Sequence, residues 1–162
     1  MCGILAVAGQ FDRADFDRAL ASLHHRGPDA QTTWFGDQIA LGHARLSIID
    51  LSDAGLQPMT SADGRYTIVF NGEAYNYLEL RAQLASYPFR SHTDTEVVLA
   101  AWQTWGAACL DKLLGMFAFV IWDHVERALI AARDRFGVKP LCYALTGSGI
   151  VFASEIKALH AL

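Results

Sequence analysis

Cysteine is scarce in this 162-residue chain: the three present, Cys2, Cys109 and Cys142, lie far apart and form no CxxC pair. Neither a disulfide framework nor a cysteine zinc site is suggested by that spacing. The six histidines add no HxxxH or HExxH pair, so no metal site is expected. Basic charge is also thin. Thirteen Lys and Arg stand against seventeen Asp and Glu, for a net charge of −4, and they are scattered, which argues against a nucleic-acid partner. No long hydrophobic run occurs: Met116 to Trp122 is far short of the roughly 20 residues that span a bilayer. No cationic segment precedes a hydrophobic one near the start, so a soluble, cytoplasmic protein without a membrane partner is predicted. Finally, no Gly-rich phosphate-binding loop is visible, and ATP is not expected to bind here.

What remains is an ordinary globular composition, 52% apolar and 19% charged, over a length that suits one domain, residues 1–162. Residues Cys2 to Gly9 read as a buried strand and Asp15 to His24 as an amphipathic helix with Phe16, Leu20 and Leu23 on one stripe. Short strands are predicted at Thr32–Phe35, Ile39–Arg45 and Tyr66–Phe70, the last ended by Asn71-Gly72. Helices follow at Tyr77–Ser86 and Asp94–Trp105, the second opened by Thr93-Asp94-Thr95-Glu96 at capping-box spacing. Its stripe of Val97, Val98, Ala101, Trp102 and Trp105 reads as core. Strands at Met116–Asp123, Ala128–Arg133, Leu141–Leu145 and Ile150–Ala153 and a short helix, Glu155–Leu159, complete the chain. Short turns suggest antiparallel pairing, and runs apolar on both faces suggest sheets covered on both sides. The expectation is an α+β layered sandwich.

The position of Cys2 gives it chemical interest. Removal of Met1 would leave a residue carrying both a thiol and a free α-amine, with pKa values of about 8.5 and about 7.7–8.0, so that the amine can act as base toward the sulfur. By itself the cysteine reads more readily as a small buried hydrophobe, as free cysteines mostly are.

Five further segments sit at turns or element ends and are too polar for packing to explain them. They are His25-Arg26-Gly27-Pro28-Asp29, Arg45-Leu46-Ser47-Ile48-Ile49-Asp50, Asn71-Gly72-Glu73, Asp94-Thr95-Glu96 and Arg133-Asp134-Arg135-Phe136-Gly137. In this order, with Cys2-Gly3-Ile4, they resemble the class II glutamine amidotransferase domain, in particular the N-terminal glutaminase half of the glutamine-hydrolysing asparagine synthetases. The resemblance runs from Cys2 through Phe152-Ala153-Ser154-Glu155-Ile156-Lys157.

That resemblance implies a four-layer αββα sandwich of two mainly antiparallel sheets, of the Ntn-hydrolase type. It also implies hydrolysis of the glutamine side-chain amide through a γ-glutamyl thioester on Cys2. Asn71, through its side-chain amide, and Gly72, through an unobstructed backbone N–H, resemble the family's oxyanion hole. An Asn-Gly hairpin turn is compatible with that role. Arg45 suits the substrate α-carboxylate because its planar fork matches that group. By resemblance Glu73 and Asp94 bind the α-ammonium, although Asp94 also suits a helix's first turn. Arg26 and Asp29 are expected to shape the site. Arg133-Asp134, read as a structural ion pair, and the turn after it are assigned architecture. Two positions depart from the family's wording, Ala74 and Cys142, and they bear on how the domain packs on a partner.

The expected partners are L-glutamine and an ATP-dependent synthetase domain, in cis or in trans, where ATP and Mg would reside. No cofactor is expected in this domain. Two alternatives stay open: a non-catalytic glutamine-sensing module, and an ammonia donor to an acceptor other than aspartate.

Overall fold

The computed structural model describes residues 1–48 and 52–162. The first sheet has five strands: β1 (Gly3–Gly9), β2 (Ala30–Gly36), β3 (Ile39–Arg45), β8 (Cys142–Thr146) and β9 (Gly149–Ala153). They are ordered β2-β3-β1-β9-β8, and every pairing is antiparallel. The second has four, β4 (Met59–Thr60), β5 (Tyr66–Ala74), β6 (Gly115–Asp123) and β7 (Ala128–Arg133), in sequential antiparallel order. Helices α1 (Arg13–Ala21) and α4 (Ile156–Leu159) cover the outer face of the first sheet, while α2 (Tyr77–Gln83) and α3 (Asp94–Trp105) cover that of the second. The result is the expected α+β sandwich of four layers, αββα.

Strand periodicity explains the layering. Along β1, Leu5 and Val7 pack toward the helices while Ile4 and Ala6 face the other sheet; along β3, Ala40 and Ala44 face out while Ile39 and Leu41 face in. The second sheet mirrors this, with Ile68 and Phe70 on the helix side and Val69, Ala118 and Val120 in the seam. Both faces of the central strands are therefore apolar, as the run Phe117–Trp122 foretells. Trp102 and Trp105 pack against the helix-side core.

Some boundaries differ from the sequence reading. Helix α1 stops at Ala21 and the chain tightens into a 3₁₀ turn at His24–Arg26, and α2 ends at Gln83. The opening of α3 is half a capping box: Thr93 Oγ1 accepts the Glu96 N–H at 3.1 Å, but the Glu96 carboxylate turns to the N–H groups of Arg90 and Ser91. The main correction concerns Asn71-Gly72, which ends no strand and forms no turn. β5 continues through both residues to Ala74, with Asn71 opposite Ala118 and Gly72 opposite Phe117 on β6. Pairing along the whole of β6 overrides the local turn preference of Asn-Gly. Among the described residues no helix is long and apolar enough to cross a membrane.

Candidate active site

Three central strands run past the apolar seam at one end and carry polar residues there. The inward-facing series Ile39, Leu41 on β3 continues with His43 and Arg45, and Val69 on β5 continues with Asn71 and Glu73. Cys2 stands in phase with Ile4 and Ala6. Alternation thus aims side chains from both sheets at one place. An open cleft there is lined by Cys2, Arg45, Gly72, Glu73 and Asp94, together with Gln57. Asn71 is absent from that lining and lies 1% exposed behind it, its Nδ2 without a hydrogen-bond partner among the described residues. A buried amide donor left unpaired is costly unless a ligand completes it.

Cys2 is half-buried, and its Sγ accepts the Leu46 N–H at 3.4 Å while lying 3.6 Å from the Leu46 carbonyl. Burial pushes the thiol pKa up, against the pull of the Leu46 hydrogen bond and the Arg45 guanidinium. The sulfur therefore stays protonated until a base takes its proton. Arg26 holds the backbone beside it, with Nε donating to the Cys2 carbonyl at 2.9 Å and Nη1 meeting Glu155 at 2.9 Å. Burial alone would raise Glu155, but hydrogen bonds from Arg26, Lys157 and His25 outweigh it and hold the carboxyl at about 2. The loop can lie this close because Gly27 has no Cβ, which would meet the Ala44 carbonyl oxygen at 2.2 Å. Asp29 accepts the Ser47 N–H at 2.7 Å and so fixes the cleft's rim.

Arg45 is 7% exposed, with Nη1 on the Ser52 carbonyl at 3.1 Å. Ile49 and Asp50, the end of its sequence segment, lie outside the described residues. Asp94 opens α3, and its Oδ2 accepts the Ala74 N–H at 2.9 Å. Burial raises its pKa to about 6, with Glu73 adding to the rise. Gly72 must be glycine, since a Cβ would stand 2.5 Å from the Met116 carbonyl oxygen. Arg133 and Asp134 do not form the anticipated ion pair. Arg133 donates to the Gly137 and Lys139 carbonyls, and Asp134 accepts four N–H groups, from Phe117, Phe136, Val138 and Lys139. Both brace the turn at 135–140.

Sequence reasoning missed His43 and Gln57. His43 is fully buried and neutral, with burial lowering its pKa to about 4. Strand alternation from Arg45 could have flagged it. Gln57 has no comparable local signal, because its partners are 13 and 38 residues away.

Glutamine phosphoribosylpyrophosphate amidotransferase from B. subtilis, solved in complex with ADP and GMP, matches with a TM-score of 0.85 over 99% of this chain and 43% of that chain. At 24% identity the likeness is one of fold, that of the Ntn-hydrolase sandwich. A family model described as a glutamine amidotransferase domain matches residues 1–162, and the chain belongs to that family. Asparagine synthetase [glutamine-hydrolyzing] 1 of Bacillus subtilis is 40% identical across 98% of this chain, and amidase chry2 of Gibberella zeae is 43% identical across 91%. The chain spans 26% and 22% of those two relatives.

Proposed function

We propose that this domain hydrolyses the side-chain amide of L-glutamine through Cys2 and supplies the ammonia to an ATP-dependent synthetase of the asparagine-synthetase type. Once Met1 is removed, the Cys2 α-amine takes the thiol proton and the sulfur adds to the amide carbon. The carbonyl oxygen becomes an oxyanion, received by Asn71 Nδ2 and the Gly72 N–H. The C–N bond then breaks, with the proton passing from the α-ammonium to the departing nitrogen as ammonia. Water attacks the resulting γ-glutamyl thioester, glutamate leaves, and the thiol is restored. Arg45 holds the substrate α-carboxylate while Glu73 and Asp94 hold its α-ammonium.

The observation that carries this reading is the meeting of a thiol, a buried Asn71 Nδ2 without a partner among the described residues, a guanidinium and two carboxylates at one end of the seam. Glutamine offers the complementary set: a reactive amide at one end, a carboxylate and an ammonium at the other. Relatives roughly four times as long and named as asparagine synthetases support the synthetase partner, which would hold ATP and Mg. We place the reaction in the cytoplasm, where a thiol stays reduced. Glutamate release by the chain freed of Met1, compared with Cys2→Ala, tests the proposal. Release by the wild type alone is expected. Equal inertness of both, with and without a synthetase partner, would instead favour a glutamine-binding module.

A further inference from the structure

β5 outlasts its neighbour on one edge. β4 ends after pairing Met59 with Ile68 and Thr60 with Thr67, whereas β5 runs on to Ala74. In an antiparallel strand, successive residues turn their N–H and C=O groups to opposite edges. Tyr66 sets the phase, because its carbonyl accepts the Ser61 N–H on the β4 side at 2.8 Å. Phe70, Gly72 and Ala74 therefore face the edge that β4 has left. Opposite Gly72, Phe117 exchanges its backbone groups with Asp134 and not with β5, as this phase requires.

Side chains stand in for the missing strand. Gln57 Oε1 accepts the Phe70 N–H at 2.6 Å, and its Nε2 donates to Thr95 Oγ1 at 3.1 Å, which fixes the amide's orientation. His43 Nε2 lies 3.2 Å from the Phe70 carbonyl oxygen. A carbonyl can only accept, so Nε2 carries the proton, and the other ring nitrogen is an acceptor with no partner among the described residues. Asp94 takes the Ala74 N–H. Gly72 thus sits between two laced residues, its own N–H directed to the same edge.

We infer that His43 and Gln57 are positioning residues that clamp the Phe70 backbone and so aim the Asn71 amide and the Gly72 N–H at the developing oxyanion; this rests on the glutaminase reading above. His43 ties β5 across the seam to β3, whose next inward residue is Arg45. Gln57 ties it to the first turn of α3, which carries Asp94. One clamp therefore sets the oxyanion donors in register with both groups that grip the far end of glutamine. Donors of this kind act by being aimed before the reaction starts, and a misplacement of about 1 Å can cost about a hundredfold in rate.

The test compares Gln57→Met, His43→Phe and His43→Gln in the Met1-free chain, reading kcat, KM for glutamine, the thermal midpoint, and affinity for the γ-semialdehyde of glutamate. Cys2 adds to that aldehyde to give a hemithioacetal, its proton moving to the oxygen that occupies the oxyanion site. Gln57→Met and His43→Phe should lower kcat by about 10–100-fold and weaken the aldehyde by a similar factor, with KM within about twofold of the wild type. His43→Gln can place an amide N–H at the Nε2 position and should stay within about threefold. Unchanged kcat and aldehyde affinity with a lower thermal midpoint would reduce both residues to packing and overturn the inference, as would an equal loss in His43→Gln and His43→Phe. An inert wild type would instead count against the glutaminase reading. In that case, or if the variants do not fold, amide exchange in the wild type decides: a Phe70 N–H as slow as that of Ile68 supports the clamp, and a fast one overturns it.

Discussion

The two ends of the inter-sheet seam are made by the same strands and differ in almost everything else. Along most of its length the seam is filled by Ile4, Ala6, Ile39, Leu41, Val69, Ala118 and Val120, which alternate in from both sheets and bury apolar area. At its other end the same alternation delivers Cys2, His43, Arg45, Asn71 and Glu73. There is no separate scaffold for the chemistry. The candidate site is the core continued with polar residues, so the proposed oxyanion donors inherit the rigidity of central strands.

That comparison separates two kinds of damage. Leu41→Ala, in the filled stretch, should cost about 2–5 kcal/mol of stability by opening a cavity, while the KM for glutamine below the new midpoint stays near that of the wild type. Thermal melts with parallel kinetics would check it, and a KM effect larger than the stability effect would break the division. At the polar end the pattern should reverse. Asn71→Ala removes one of the two proposed oxyanion donors and is expected to lower kcat by about 10²–10³-fold, or about 3–4 kcal/mol of transition-state stabilisation. Its folding stability should hold or improve, since the buried Nδ2 of Asn71 has no hydrogen-bond partner among the described residues. A calorimetric midpoint set beside kcat reads both.

Proton linkage sharpens the contrast. In its proposed role Asp94 must be ionised to hold the substrate ammonium, and burial raises its pKa to about 6. As pH falls through 6 the carboxylate is protonated, and KM for glutamine should rise toward about tenfold per pH unit, a dependence absent in Asp94→Asn. Its effect on folding has the opposite sign. The native state binds this proton before the unfolded chain does, so Asp94 favours folding more as pH drops from 6 toward the ordinary carboxylate range. His43 works against it: held neutral with a pKa of about 4, it costs stability as pH falls below the usual imidazole value. A pH series of melts on Asp94→Asn should therefore lose stability more steeply between pH 6 and 4 than the wild type does. The smallest effect belongs to Thr93→Ala, which removes the cap of α3 and should cost about 1 kcal/mol. Kinetics should shift only slightly, because Asp94 keeps its own bond to β5.

The layers were legible in the sequence because strand alternation and the α3 stripe are local signals, and β3, α3 and β7 fall where the pattern puts them. Asn71-Gly72 was not legible as structure. The dipeptide is a strong turn former, and only a partner strand more than forty residues later extends β5 through it. Arg133 and Asp134, adjacent and opposite in charge, invite an ion-pair reading, yet each is drawn to the backbone of the following turn. His43 and Gln57 went unread because they act on another strand's main chain, and a sequence does not display which backbone groups lack a partner.

The most direct measurement is mass spectrometry of the Met1-free chain, mixed with glutamine and quenched in acid. One added glutamyl group is expected on the peptide bearing Cys2, absent in Cys2→Ala and accumulating more slowly in Asn71→Ala. Glutamate release with the adduct on another residue, or with no adduct at any quench time, would contradict that expectation.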